Sequence, residues 1–219
     1  MPTTSSINST TGGDGYVFSS GSSWSTARDA TTGTGSNSSA SSNPYGIRAT
    51  VTSGRGGTSF MFTRSFFYWS TSSISAYPTS GILKIYGRTM TAASVACVKS
   101  THGTSITTAD FDAIEGWQTG VNNIPNVTEY ASAITSWTAG AYNEFTLNAT
   151  ALNDIRNNDY LSVCLIETSK DLRNVAPNSG SNYSGVYYAD DGNLTRWPNL
   201  TLTMPDAPAN NSIFMGTNF

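Results

Sequence analysis

Acid–base or nucleophilic chemistry needs a histidine, cysteine or carboxylate placed where a substrate can reach it, and this 219-residue chain is poor in all three. The one histidine, His102 in KSTHGTS, would have to serve any serine triad, yet no G-x-S-x-G run is present to present a nucleophile. Its Gly/Ser/Thr setting predicts a surface-loop histidine. Asp110, Asp112 and Glu115 are close enough in sequence to share a cation, but the D-x-D-x-D-G series of a calcium loop is missing. Carboxylates at the start of a short helix, where the helix dipole favours them, explain the same spacing. Asp190 and Asp191 precede Gly192 and read as a turn, with Asp191-Gly192 as a hairpin signal; a glycosidase pair would need a set separation across a cleft. Cys97 and Cys164 lie in ASVACVKS and YLSVCLIE, both of strand character, and read as buried free thiols. The expectation is a protein without catalysis, cofactor or metal.

Sugar binding is the stronger chemical option. Sugar rings stack their C–H faces on aromatic side chains while Asn, Asp and Ser hold hydroxyls. Trp24, Trp117, Tyr187, Tyr188 and Trp197 fall in or near loops and strand ends and are the glycan candidates, with Trp137 in a similar setting. For each of them core or loop-anchoring packing is the competing role.

The elements that must position these groups are read from hydrophobic patterning. The densest apolar stretch is residues 58–87, TSFMFTRSFFYWSTSSISAYPTSGILKIYG. Phe60, Phe62, Arg64, Phe66 and Tyr68 share one face of an extended chain and Met61, Thr63, Ser65, Phe67 and Trp69 the other. Both faces are largely apolar, which predicts a central strand, and GILKIYG after it predicts a second, so that this pair forms the middle of a β-sandwich. YGIRATVTS (45–53) reads as a half-buried strand, and further strands are expected at 93–100, YNEFTLN, 160–167, GVYY and WPNLTLTM. Short helices are expected at 107–115 and in NATALNDIRN; EYASAITSW reads equally as strand or helical turn. Residues 1–44 are a Ser/Thr/Gly-rich arm, 45–204 the domain, and 205–219 a tail. The fold class expected is all-β, an antiparallel β-sandwich of jelly-roll type with one or two short helices and extended N- and C-terminal tails.

Composition narrows the partners. Charged residues are 11% of the chain and the net charge is -3, so no basic stripe exists to neutralise phosphates and nucleic acid is excluded as a partner. No apolar run approaches the roughly 20 residues that span a bilayer, which reads as a soluble protein with no membrane partner. MPTTSSINSTTGG lacks the basic and apolar regions of an export signal, and the chain reads as translated and unprocessed.

The landmarks, taken in order, resemble the DNRLRE-like family of jelly-roll, carbohydrate-binding-module-like domains of bacterial surface proteins and phage structural proteins. The matching pieces are FTRSFFYWSTSSI (62–74), SGILKIYG (80–87), ITSWTAGAYNEFTLNATAL (134–152) and RWPNLTLTM (196–204). An aspartate usual in that family's serine-loop segment is missing here, where Trp69 stands. The resemblance implies a non-enzymatic virion protein made in the host cytoplasm: a capsid decoration, head fibre or tail component. The tail's own apolar residues Ile213, Phe214, Met215 and Phe219 read as partner contacts that could add to another chain's sheet edge or fill a groove, so the protein would be homo-oligomeric or docked on other subunits. The alternative the resemblance implies is an extracellular carbohydrate-binding module on a cell surface or filament.

Overall fold

The computed structural model describes residues 3–206 apart from positions 92, 121, 122, 179 and 181. Along the described chain run β1 (Thr3–Asn8), β2 (Gly15–Gly21), α1 (Trp24–Arg28), β3 (Gly35–Asn37), β4 (Ser42–Gly54), β5 (Gly57–Ser70), β6 (Ser80–Thr91) and β7 (Val95–Lys99). They are followed by β8 (Glu129–Ile134), β9 (Tyr142–Thr146), α2 (Ala149–Asn157), β10 (Tyr160–Glu167), β11 (Tyr183–Tyr187) and β12 (Asn199–Met204). Every strand pairing is antiparallel. The protein is an all-β sandwich of jelly-roll-like form with few helices. Among the described residues no helix is long and apolar enough to cross a membrane.

A smaller sheet has the order β1-β12-β6-β9, and a larger one runs β8-β7-β10-β5-β4-β11, with β2 and β3 added at β5. β6 joins them: up to Tyr86 it pairs with β12 and β9, and beyond that point Gly87 and Met90 pair with β11. The crossing requires close approach, because a Cβ on Gly87 would lie 2.0 Å from the carbonyl oxygen of Thr138. The aromatic strand β5 and the ILKIYG strand β6 are therefore each central to their own sheet.

The two-sided apolar pattern of β5 is used on both sides. Phe67 and Trp69 point into the main core between the sheets, with Leu83, Ile85, Phe145 and Leu202. Phe62 and Phe66 point the other way, into a second core with Val17, Val98, Phe111 and Cys164. Each such fully buried side chain contributes roughly 1.5–3 kcal/mol. The second core is capped by α1, a 3-10 turn at Thr108–Asp112 and a π-type turn at Thr168–Leu172.

At the centre of that second core lies an ionic cluster. Arg64, fully buried, gives Asp171 a two-pronged hydrogen bond from Nε (2.9 Å) and Nη2 (2.8 Å). Its Nη1 donates to the Phe111 carbonyl at 2.7 Å, and its guanidinium lies 4.0 Å from the Phe111 ring and 3.9 Å from the Trp117 ring. Arg28, also fully buried, donates from Nε to the Asp171 carbonyl at 2.6 Å and pairs with Asp29. Asp171 thus ties β5, α1 and the π-type turn together, through its carboxylate to Arg64 and its backbone carbonyl to Arg28.

Three expectations change and one open reading is settled. The 1–44 stretch is not an arm over its described residues, 3–44: β1 pairs along all of β12, from Thr3↔Met204 to Asn8↔Asn199, and β2 pairs along β5 from Gly15↔Phe66 to Gly21↔Phe60. β1, rich in Ser and Thr, gains little from burial and is held by its ladder on β12, whereas β2 also buries Val17 in the second core. Asp191-Gly192 does not close a hairpin, since β11 and β12 flank β6 instead of each other. EYASAITSW resolves as strand β8. The helix expected at 107–115 is a 3-10 turn, where Thr107 and Asp110 cap one another reciprocally; α2 forms as expected, its Asn148 side chain accepting from the Ala151 amide at 3.0 Å. Residues 207–219, with Ile213, Phe214, Met215 and Phe219, lie outside the described residues.

Candidate functional site

His102 is not on a loop surface; only 3% of it is exposed. Its Nε2 is 3.2 Å from the Gly13 carbonyl, which can only accept, so the ring proton sits on Nε2 and Nδ1 is an acceptor. Ser100 and Ser162 both lie 2.8 Å from Nδ1. Ser100 donates its hydroxyl to the Ala113 carbonyl at 2.6 Å, which leaves Ser162 as the donor to Nδ1. Burial pushes the imidazole down to about 4. A Ser–His contact exists, but with both hydroxyls buried and a carbonyl where a triad has its carboxylate, the group cross-links strands.

Asp110, Glu115 and Asp191 are engaged separately. Asp110 caps the 3-10 turn, accepting from the Thr107 amide at 2.7 Å. Glu115 binds Lys99 at 3.0 Å and accepts from the Thr128 hydroxyl at 2.6 Å. Asp191 pairs with Arg196 at 2.7 Å. Among the described residues no group of His, Cys, Asp and Glu is arranged to hold a metal ion. Asp14, unremarked in sequence because GGDG reads as a turn, is fully buried. It accepts from Ser9 at 2.8 Å and from the Ala189 amide at 2.7 Å. Burial pushes its carboxyl up to about 7.

Both thiols are free and buried. They occupy neighbouring strands, β7 and β10, but the register Leu165↔Cys97 and Cys164↔Val98 turns them to opposite faces. Cys97 lies in the main core and Cys164 in the second.

The five aromatic glycan candidates do not converge on one cleft. Tyr188 is fully buried, its hydroxyl 2.7 Å from Ser65 Oγ, and cannot meet a sugar. Trp117 is packed by Arg28 at 4.4 Å and Arg64 at 3.9 Å, so its ring is taken up by the second core. Tyr187 lies under Arg196 at 4.4 Å, and Trp197 donates its indole N–H to the Asp191 carbonyl at 2.6 Å; these two half-buried rings flank one ion pair. Trp24 is half-buried at the start of α1. Trp137 is buried in the main core and donates to the Gly185 carbonyl at 3.2 Å.

A recess that sequence reasoning missed lies on β2, β4 and β5. The registers Phe18↔Thr63 and Arg48↔Thr63 set Arg48, Thr63 and Phe18 in a row on one face. It is the same face of β5 that farther along carries Phe67 and Trp69 into the main core. With Tyr16, Asn43, Tyr45 and Met61 they line a cavity of about 280 Å³. Arg48 lies 5.0 Å from the Tyr45 ring and its guanidinium touches Met61 Sδ. Tyr45 is 42% exposed and rests edge-on against Tyr183. Arg48 Nε and Thr63 Oγ1 are buried with no hydrogen-bond partner. The only sequence signal was YGIR, an aromatic–basic pair on a half-buried strand.

Compared with known proteins, the chain matches no family model and no curated protein.

Proposed function

We propose that this is a non-enzymatic structural subunit of a virion, a capsid decoration, head fibre or tail component, that docks on neighbouring subunits at its chain ends. The observation that carries this reading is the corner where the described chain starts and ends. Among the described residues β1 is an edge strand, and the register Thr3↔Met204 brings residue 3 beside the end of β12. β1 reads TTSSIN, without the lysine, proline or inward charge that usually blocks an open sheet edge. An edge of that kind accepts an added strand, and the apolar residues Ile213, Phe214, Met215 and Phe219 suit such a contact. His102, Asp110, Glu115 and Asp191 are tied into the scaffold, which supports a role without catalysis. Deleting residues 205–219 leaves the melting transition in place and abolishes incorporation into particles, measured by co-sedimentation and mass spectrometry of purified virions. Undiminished incorporation of the truncated chain overturns the docking role.

A second reading, a carbohydrate-binding module of a bacterial surface protein or extracellular filament, is favoured by the aromatic recess on β2, β4 and β5. A virion subunit can also display such a surface, so a glycan-binding signal supports sugar recognition in either setting.

A further inference from the structure

The recess holds a cation without a counter-charge. No carboxylate among the described residues pairs with Arg48, in contrast to Arg28, Arg64 and Arg196, each of which has an acidic partner. Arg48 Nε and, across the strand pair, Thr63 Oγ1 are buried and unpartnered. A cation kept partly out of water without a counter-charge is costly, and Arg48 lines this cavity together with exposed aromatic surface, which points to an acidic partner that arrives from outside. The partner's chemistry follows from the lining. A single guanidinium matches one carboxylate, whose two oxygens fit its fork; a phosphate dianion would call for a second cation, and none lines this cavity. Tyr45 offers an exposed ring and Phe18 a second aromatic wall for an apolar ring face. Asn43 Oδ1 is already occupied by the Tyr45 amide at 2.8 Å, which leaves its N–H donors for hydroxyls. At about 280 Å³ the cavity falls at the small end of ligand pockets, in keeping with one ring.

We propose that this recess binds a carboxylated sugar, a uronic or sialic acid unit of a glycan. Arg48 pairs the carboxylate, Tyr45 meets the ring face, and Asn43 holds a hydroxyl. The inference rests on the carbohydrate reading and is independent of the docking at the chain ends.

The test is titration calorimetry and saturation-transfer NMR on the full chain with glucuronate, N-acetylneuraminate and glucose as probes. At least one of the two acids binds, glucose binds an order of magnitude or more weaker, and the preferred acid identifies the source. Arg48→Gln weakens the acid by an order of magnitude or more, and so does Tyr45→Ala, a change at an exposed ring that leaves the melting temperature near wild type. Glucose binding as well as the acids removes the acidic class while keeping the carbohydrate reading. Acid binding unaffected by both substitutions puts the site elsewhere and overturns the proposal. Silence from all three sugars overturns it as well and counts against the carbohydrate reading, while particle incorporation is untouched by any of these outcomes.

Discussion

Asp14 and His102 give the folded protein two opposed pH dependences from one neighbourhood, for His102 donates to the carbonyl of Gly13, the residue before Asp14. The Asp14 carboxyl rises from 3.8 to about 7. Between those values the folded chain holds a proton that the unfolded chain has released, so stability falls as pH rises through that window. His102 drops from 6.5 to about 4; there the unfolded chain takes up a proton that the folded chain refuses, so stability is lost as pH falls through that window. Each shift is worth about 1.4 kcal/mol per unit, and over the shared range the slopes offset. Asp14→Asn should leave the histidine slope exposed, with a melting temperature that climbs between pH 4.5 and 6.5 more steeply than wild type. His102→Gln should do the reverse, its melting temperature falling as pH rises toward 7. Melts across a pH series decide it, and variants that both track the wild-type profile would refute the assignment. Neither residue was legible as buried. His102 sits among loop-forming residues and Asp14 in a turn-like GGDG, and the partners that bury them, Gly13, Ser162 and Ala189, come from 89, 60 and 175 residues away.

At the scale of elements, the caps over the second core hang on Asp171. It receives both prongs of Arg64 while its carbonyl holds Arg28, so its loss leaves two buried guanidinium groups with reduced compensation. Asp171→Ala should cost roughly 3–5 kcal/mol, the range for stranding a buried charge. Arg64→Lys should also destabilise, because an ammonium reproduces neither the fork nor the stacking between Phe111 and Trp117. Urea unfolding measures both, and a loss below 1 kcal/mol for Asp171→Ala would show that water or Asp29 compensates. Arg64 stands out in sequence as the one charge in an aromatic strand, and the two apolar faces of β5 correctly implied burial on both sides. Its partner, 107 residues on, lies in ETSKDLR, where three other charges conceal it. Two aromatic glycan candidates resolve for the same reason. Trp117 and Tyr188 could be read for sugar stacking or for packing, and packing is what the fold gives them: the first serves this cluster and the second fills the main core.

For the molecule as a whole, alternation made the strands visible, but their closure into two sheets was not legible. β1 is held mainly by backbone pairing, which leaves little hydrophobic signature, β2 shows only its short GYVF run, whose Val17 enters the second core, and the crossing of β6 between sheets depends on one glycine. What closure predicts is cooperativity. The two cores share the strands of the larger sheet, since Phe66 and Phe67, adjacent on β5, belong to different cores, and neither core can open while the other keeps that sheet intact. The thiols report on this separately. Cys97 lies in one core and Cys164 in the other, both are buried, and burial raises both thiols well above their ordinary range, which removes the reactive thiolate. Alkylation with iodoacetamide in increasing urea, followed by peptide mass spectrometry, should find both cysteines protected and then labelled along one shared transition that coincides with loss of β-sheet circular dichroism. Labelling of Cys164 at lower denaturant than Cys97 would mean that the capped face opens as a separate unit, and the ionic cluster beneath the caps would then stabilise a local lid over the sheet instead of the whole sandwich.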